Sequence, residues 1–292
     1  MIRLGEEIFR SVQGEGPMTG RLSIWVRFFS CNLTCAGFFQ NEPTKPETYH
    51  IPQALTCGKS YTSLKDVPIL YTGCDSGYSW HPNFKHLQIK KSTAQAVSDI
   101  QNFLYENCLW EHPDTHNTID LCITGGEPML YQGEMALLLT ALRDTTAFGC
   151  ATYNGELQIE TNTTRKLDSR FSGTLAEFNP FWNMSPKLYN VSGEKDRVNY
   201  DRIMSYYEFS KKGCLKFVVN DREDTWIELN EHVRHIRSAG CDLPVFVMPV
   251  GATYEQQTDT EVLSKIANRA IAAGYHVTGR LQATLFGNGV GT

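Results

Sequence analysis

The chain has 292 residues, 41% of them hydrophobic and 20% charged, and a formal net charge of −5. That length can bury the core of one large domain, and the charge offers no basic excess for a phosphate backbone, so direct nucleic-acid binding is not expected. No apolar run approaches the roughly 18 residues of a membrane span, and Met1–Glu7 lacks the apolar stretch of a signal peptide, so a cytoplasmic protein without membrane contact is expected.

In chain order, Leu22–Phe29 alternates and then turns apolar, the pattern of a strand. From Ala36 to about His86 no period holds and Pro43, Pro46, Pro52, Pro68 and Pro82 interrupt the chain. So long an irregular stretch inside a domain reads as a functional insertion. A helical pattern covers Thr93–Tyr105, a strand Ile119–Thr124, a helix Tyr131–Arg143 and a third strand Leu157–Glu160. Short apolar segments at Cys214–Val219 and Pro244–Met248 read as strands, and Asp224–Ser238 and Glu255–Ala273 as helices. Strand alternating with helix predicts an α/β fold of parallel strands, an open or closed barrel, with its chemistry at the C-terminal ends of the strands. One domain, 1–292, is expected, with residues 36–86 inserted.

The motifs sit where that rule puts them. Cys31-Asn32-Leu33-Thr34-Cys35 follows the first strand, and two thiolates at that spacing suit zinc or an iron-sulfur cluster equally. The remaining cysteines are Cys57, Cys74, Cys108, Cys122, Cys150, Cys214 and Cys241. An odd total in a reducing compartment argues against disulfides, and most of them read as core filling. Thr124-Gly125-Gly126-Glu127-Pro128 closes the Ile119 strand: glycines there let a ligand approach the backbone, and the carboxylate can accept from an ammonium. Ser11-Val12-Gln13-Gly14-Glu15-Gly16 precedes Gly20 and Arg27, Glu160-Thr161-Asn162 ends the third strand, and Ser185-Pro186-Lys187 and Lys216-Phe217-Val218-Val219 lie further on. His232 and His235 read as a solvated helix face. The glycines from Gly287 to Gly291 have no helix to follow, so they are not a dinucleotide turn.

Together these motifs resemble the radical S-adenosylmethionine (SAM) superfamily, and within it the 7-carboxy-7-deazaguanine synthases. The superfamily holds a [4Fe-4S] cluster on three cysteines, usually CxxxCxxC; here the third position is Phe38. Gly73-Cys74-Asp75-Ser76 resembles the family's Cys-Asp-Thr/Ser and offers the third ligand after 38 intervening residues, with Cys57 as the competitor. The resemblance implies a radical SAM partial (β/α) barrel that contracts 6-carboxy-5,6,7,8-tetrahydropterin to 7-carboxy-7-deazaguanine with loss of ammonia. It implies Cys31, Cys35 and Cys74 as cluster ligands and Ser76 as a ligand of Mg²⁺. Val12, Gln13, Gly14, Glu15, Arg27 and Thr124 would meet the pterin; Gly73, Asp75, Gly126, Glu127, Glu160, Ser185 and Lys187 would meet SAM. Thr292 is a further candidate for the substrate. A flavodoxin or ferredoxin as electron donor and a homodimer are implied as well. A different radical SAM reaction such as glycyl-radical-enzyme activation, and a non-catalytic zinc or iron-sulfur protein, are the rival readings.

Overall fold

The computed structural model describes residues 1–143 and 153–291; Cys150 and Thr292 lie outside them. The strands are β1 (Ile2–Leu4), β2 (Phe9–Val12), β3 (Leu22–Phe28), β4 (Ile89–Lys91), β5 (Asp120–Gly125), β6 (Leu157–Thr161), β7 (Phe181–Met184), β8 (Gly213–Val219), β9 (Val245–Pro249) and β10 (His276–Val277). They form one sheet in the order β10-β9-β8-β7-β6-β5-β3-β1-β4, with β2 beside β3. From β3 to β10 every neighbouring pair is parallel, whereas β1, β2 and β4 are joined antiparallel. A parallel strand covered on both faces is apolar throughout. Accordingly, every residue of β8 is buried, as is every residue of β5 except Gly125.

The helices are α1 (Gln53–Thr56), α2 (Thr93–Gln101), α3 (Gln132–Arg143), α4 (Ser169–Ala176), α5 (Tyr189–Ser192), α6 (Tyr200–Phe209), α7 (Glu223–Ser238), α8 (Tyr254–Thr258), α9 (Thr260–Ala273) and α10 (Leu281–Phe286). Two differ from the sequence expectation. The helix starting at Thr93 ends at Gln101, not Tyr105. The pattern from Glu255 to Ala273 is two helices, because Asp259 leaves helical φ/ψ and its carboxylate accepts from Glu261 N at 3.1 Å and Val262 N at 3.3 Å, capping α9. Residues 36–86 hold α1 and short 3₁₀ turns and no strand. This segment still has its own small core around Phe84, Leu70 and Ala54, and Tyr61 stacks on Phe84. No helix is long and apolar enough to cross a membrane among the described residues.

One buried carboxylate fastens the entry ends of three neighbouring strands. Asp120, fully buried, accepts from Arg21 Nε at 2.7 Å and Nη2 at 2.8 Å, from Glu156 N at 3.0 Å and from Gln158 Nε2 at 2.9 Å. Removing it leaves the Glu156 N–H and the Gln158 amide without this acceptor, while the half-exposed Arg21 can turn to water. Asp120→Ala should therefore cost roughly 1–3 kcal/mol of unfolding free energy, read by urea denaturation; a loss below about 0.5 kcal/mol would show that the anchor carries little.

Candidate active site

The C-terminal ends of β3, β5, β6 and β8 open onto a cavity of about 190 Å³. Every described site residue expected from the sequence lines it, apart from Gly73 and Glu127. Gly73 lines a smaller neighbouring pocket that shares Asp75 and Arg280 with it. Glu127 lies behind the cavity wall. It is fully buried and its carboxylate accepts from Met129 N at 3.0 Å, Thr161 Oγ1 at 2.8 Å and Asn162 N at 2.7 Å. These bonds fasten the β5 turn to the end of β6, and no donor outside the fold is needed.

The first two thiols ride on a loop whose shape is set from outside it. Glu194 Oε1 accepts from Thr34 N at 2.6 Å, Thr34 Oγ1 at 3.0 Å and Cys35 N at 2.8 Å. Asn32 donates to Thr164 Oγ1 at 2.7 Å, and Asn162 Nδ2 lies 3.2 Å from Asn32 Oδ1 and 3.9 Å from Cys31 Sγ. Ser30 and Cys35 sit at positive φ, 103° and 47°, strain that these contacts hold in place. Cys31, Cys35 and Cys74 all face the cavity. Burial pushes the Cys31 thiol up to about 12, with Cys74 nearby a lesser cause, and burial also raises Cys35 while Lys187 works against it. Among the described residues no three His, Cys, Asp or Glu groups close on a single-ion site. Cys57 is exposed and lies outside the cavity.

Charge on the opposite wall is paired. Lys216 of β8, 6% exposed, pairs with Glu15 and lies 3.9 Å from Glu160; Thr124 Oγ1 donates to Glu160 Oε2 at 2.7 Å. Burial works against the Lys216 charge, but Glu15 and Glu160 outweigh it and raise its pKa. Glu15 is opposed by burial too, yet Lys216 and Arg280 hold it down to about 2. Arg27 of β3 pairs through Nε with Glu6, and its Nη1 lies 3.4 Å from Ser76 Oγ and 3.5 Å from Gly125 O. Burial opposes its charge, and Tyr78 and Glu6 more than restore it. Lys187 donates to Ser185 Oγ at 2.8 Å and lies 5.9 Å from the centre of the Phe38 ring. Gln13, 1% exposed, donates to Gln158 Oε1 at 3.0 Å.

Several cavity residues had no signal in the sequence. Glu6, Tyr78, Arg280 and Gln282 come from segments with no motif. Asn288, Gly289 and Gly291 also line the cavity, so the C-terminal glycines serve the site although they form no dinucleotide turn. His232 and His235 pack on Tyr200, with His232 Nδ1 2.8 Å from its hydroxyl, and stand apart from the cavity.

No family model matches the chain. Curated proteins do. It is 26% identical to a 7-carboxy-7-deazaguanine synthase from Pyrobaculum aerophilum over 98% of this chain and 95% of that protein. It is 26% identical to the enzyme of that name from Halobacterium salinarum over 96% and 89%, and 24% identical to that of Geobacter sulfurreducens over 84% and 80%. Among solved structures, QueE from Escherichia coli shares the fold with a TM-score of 0.51 at 17% identity, over 95% of this chain and 93% of that one.

The depressed pKa of Glu15 has a pH signature. Its folded value of about 2 lies below the usual 4.5, so its contribution to stability is complete above about pH 4.5 and is lost as pH falls toward 2. Glu15→Gln leaves Lys216 buried with only Glu160 nearby and should lower stability by roughly 3 kcal/mol or more at pH 7. Urea unfolding of both proteins should show that difference narrowing between pH 5 and pH 2.5. A difference that stays constant would mean that Glu15 is not ionised in the folded protein.

Proposed function

We infer that this chain is a 7-carboxy-7-deazaguanine synthase of the radical SAM superfamily, converting 6-carboxy-5,6,7,8-tetrahydropterin to 7-carboxy-7-deazaguanine by ring contraction with loss of ammonia. One observation carries the inference. Cys74, separated from Cys35 by 38 intervening residues, shares a cavity with Cys31, Cys35, Arg27, Ser185, Lys187 and the Val12–Glu15 turn. The relatives of that name, similar over nearly the whole chain, agree with it.

The three thiols suit the cluster the reading requires. They border a shared cavity and do not close on a single-ion site. Three thiolates on one cavity suit a [4Fe-4S] cluster with one iron left open. Thiols give up their protons when metal arrives. Cys31, Cys35 and Cys74 would hold the cluster. Gly126, Asp75, Glu160, Ser185 and Lys187 would hold SAM, with Gly73 and Glu127 supporting from behind the wall. When bound, the cluster and SAM together supply the radical that takes hydrogen from the pterin. The chain's own residues bind and orient. Glu15 and Gln13 can meet the pterin edge alongside Val12, Gly14 and Thr124, and the Nη side of Arg27 is suited to the substrate carboxylate, since Glu6 already takes Nε. Lys216 and Arg280 keep Glu15 charged in a site otherwise hostile to a carboxylate.

Mg²⁺ belongs to the same reading. Ser76 Oγ and Asp75 Oδ1, 3.4 Å apart, are hard oxygens, and Arg27 beside them repels a dication until a substrate carboxylate intervenes. We further take the parallel run β3–β10 as a partial barrel, residues 36–86 as an insertion in the cluster loop of a single domain, and the protein as a cytoplasmic homodimer fed by a flavodoxin or ferredoxin. Glycyl-radical activation would leave the Val12–Glu15 turn and Arg27 without a task, and a zinc protein would leave Ser185 and Lys187 without one.

The direct test is anaerobic reconstitution followed by turnover with SAM, Mg²⁺, reductant and the carboxytetrahydropterin. Mass spectrometry should find 7-carboxy-7-deazaguanine with SAM unconsumed; methionine and deoxyadenosine accumulating without it would support another radical SAM reaction. Arg27→Lys, which cannot present a fork, should raise the KM for the pterin about tenfold or more, and a normal KM would give Arg27 another task. Ser76→Ala should keep the cluster and SAM cleavage but lose most of the Mg²⁺ stimulation of product formation. An unchanged Mg²⁺ response would leave Ser76 as a turn residue.

A further inference from the structure

Cys74 has a positioning problem. Where three cysteines share one short loop, the backbone itself sets the spacing of the second and third. Here 38 residues part Cys35 from Cys74, and a link of that length fixes almost no distance between its ends. Noncovalent ties must place the third thiol. Two are backbone bonds: Gly73 N donates to Phe38 O, and Ser30 N to Ser79 O, each at 2.8 Å. They bracket residues 73–79 against the loop of Cys31 and Cys35. Arg27 adds a long contact to Ser76. Tyr78 Oη donates to Glu6 Oε1 at 3.3 Å. A further tie is charged, and it falls on the residue next to the thiol: Arg280 Nη1 pairs with Asp75 Oδ2.

Arg280 is 9% exposed, and its own segment is locked to the turn on the far side of the cavity. Leu281 N donates to Gly14 O at 2.9 Å, Gly16 N to Thr278 Oγ1 at 2.8 Å, and Gln282 Nε2 to Glu15 Oε1 at 3.2 Å. Arg280 Nε stands 3.5 Å from Glu15 Oε1, an ion pair without a hydrogen bond, for Nε has no bonded partner. One guanidinium thus lies between the carboxylate beside the third thiol and the carboxylate of the pterin turn.

We propose that Arg280 is a positioning residue that holds the Cys74 loop in register with the Gln13–Glu15 turn, in place of the short backbone spacing this chain lacks. The proposal rests on Cys74 being a cluster ligand. Arginine suits the task because its planar fork stays charged when buried and can serve carboxylates on two sides. Lysine, a single ammonium, can serve Asp75 alone.

The test reads the metal-free protein as well as the loaded one. Iodoacetamide alkylation resolved by peptide mass spectrometry gives the reactivity of Cys74 relative to Cys31 in the same sample. Arg280→Gln should raise that ratio roughly tenfold, the loss of one charge-assisted hydrogen bond, and Arg280→Lys should raise it much less. Combining Asp75→Asn with Arg280→Gln should add nothing further. In reconstituted protein, Arg280→Gln should release iron to a chelator faster by a similar factor. An equal rise at both cysteines, or none, overturns the proposal; if Arg280→Gln fails to fold, Arg280→Lys and Asp75→Asn report the same tie. Cys74→Ala separates the proposal from its premise. If that variant keeps its cluster iron, the ligand set is wrong and the proposal falls with it. If it loses the iron while Arg280→Gln behaves as wild type, only the proposal fails.

Discussion

The site depends on how closely β3 and β5 leave the sheet. They pair in parallel from Ser23 opposite Asp120 to Phe28 opposite Gly125, and the two loops that follow stay in contact. Gly126 N donates to Phe28 O at 3.3 Å and Glu127 N to Ser30 O at 2.9 Å. Gly125 sits at φ 151°, where a Cβ would drive into the backbone of Phe28; one on Gly126 would meet Ser30 and the Cβ of Cys31. Only glycine permits that approach. Because the loops touch, the first thiol and the Gly125-Gly126 turn form one wall, and the end of β6 joins them through the buried carboxylate of Glu127.

The other wall is a problem in desolvation. Glu15, Glu160, Lys216, Arg280, Glu6 and Arg27 all border one cavity. Buried ion pairs of this kind seldom add net stability, because withdrawing the charges from water costs about as much as their attraction returns. What they give is a fixed arrangement. Each carboxylate faces a cation held on a different strand or segment, so the arrangement facing a ligand is set before it arrives and need not reorganise around it. Arg27 shows the consequence: with Nε engaged by Glu6, it presents its Nη side alone.

Five of the parallel strands and the motifs at their ends were legible in the sequence because both are local; the four-residue Phe181–Met184 and the two-residue His276–Val277 were not. Leu22–Phe28 and Gly213–Val219 carry their apolar pattern in consecutive residues, and the Thr124–Pro128 turn announces itself by its glycines. Short antiparallel strands such as Ile2–Leu4 and Ile89–Lys91 were not legible, since three residues carry no period and their pairing partners lie far along the chain. The partners of Glu127 were hidden for a related reason: its motif fixes the turn, but which donors reach the carboxylate depends on Thr161 and Asn162 at the end of another strand. Glu194 and Arg280 left no trace at all. A single charged residue in a loop looks solvated until the fold brings it against Cys35 N or Asp75.

The central claim is that thiols separated by 38 residues hold one cluster with an iron left open for SAM. Iron analysis with electron paramagnetic resonance of the reduced, anaerobically reconstituted protein tests it most directly. The account predicts about four irons per chain and a signal that changes when SAM is added. One zinc per chain, or a cluster signal indifferent to SAM, would contradict it.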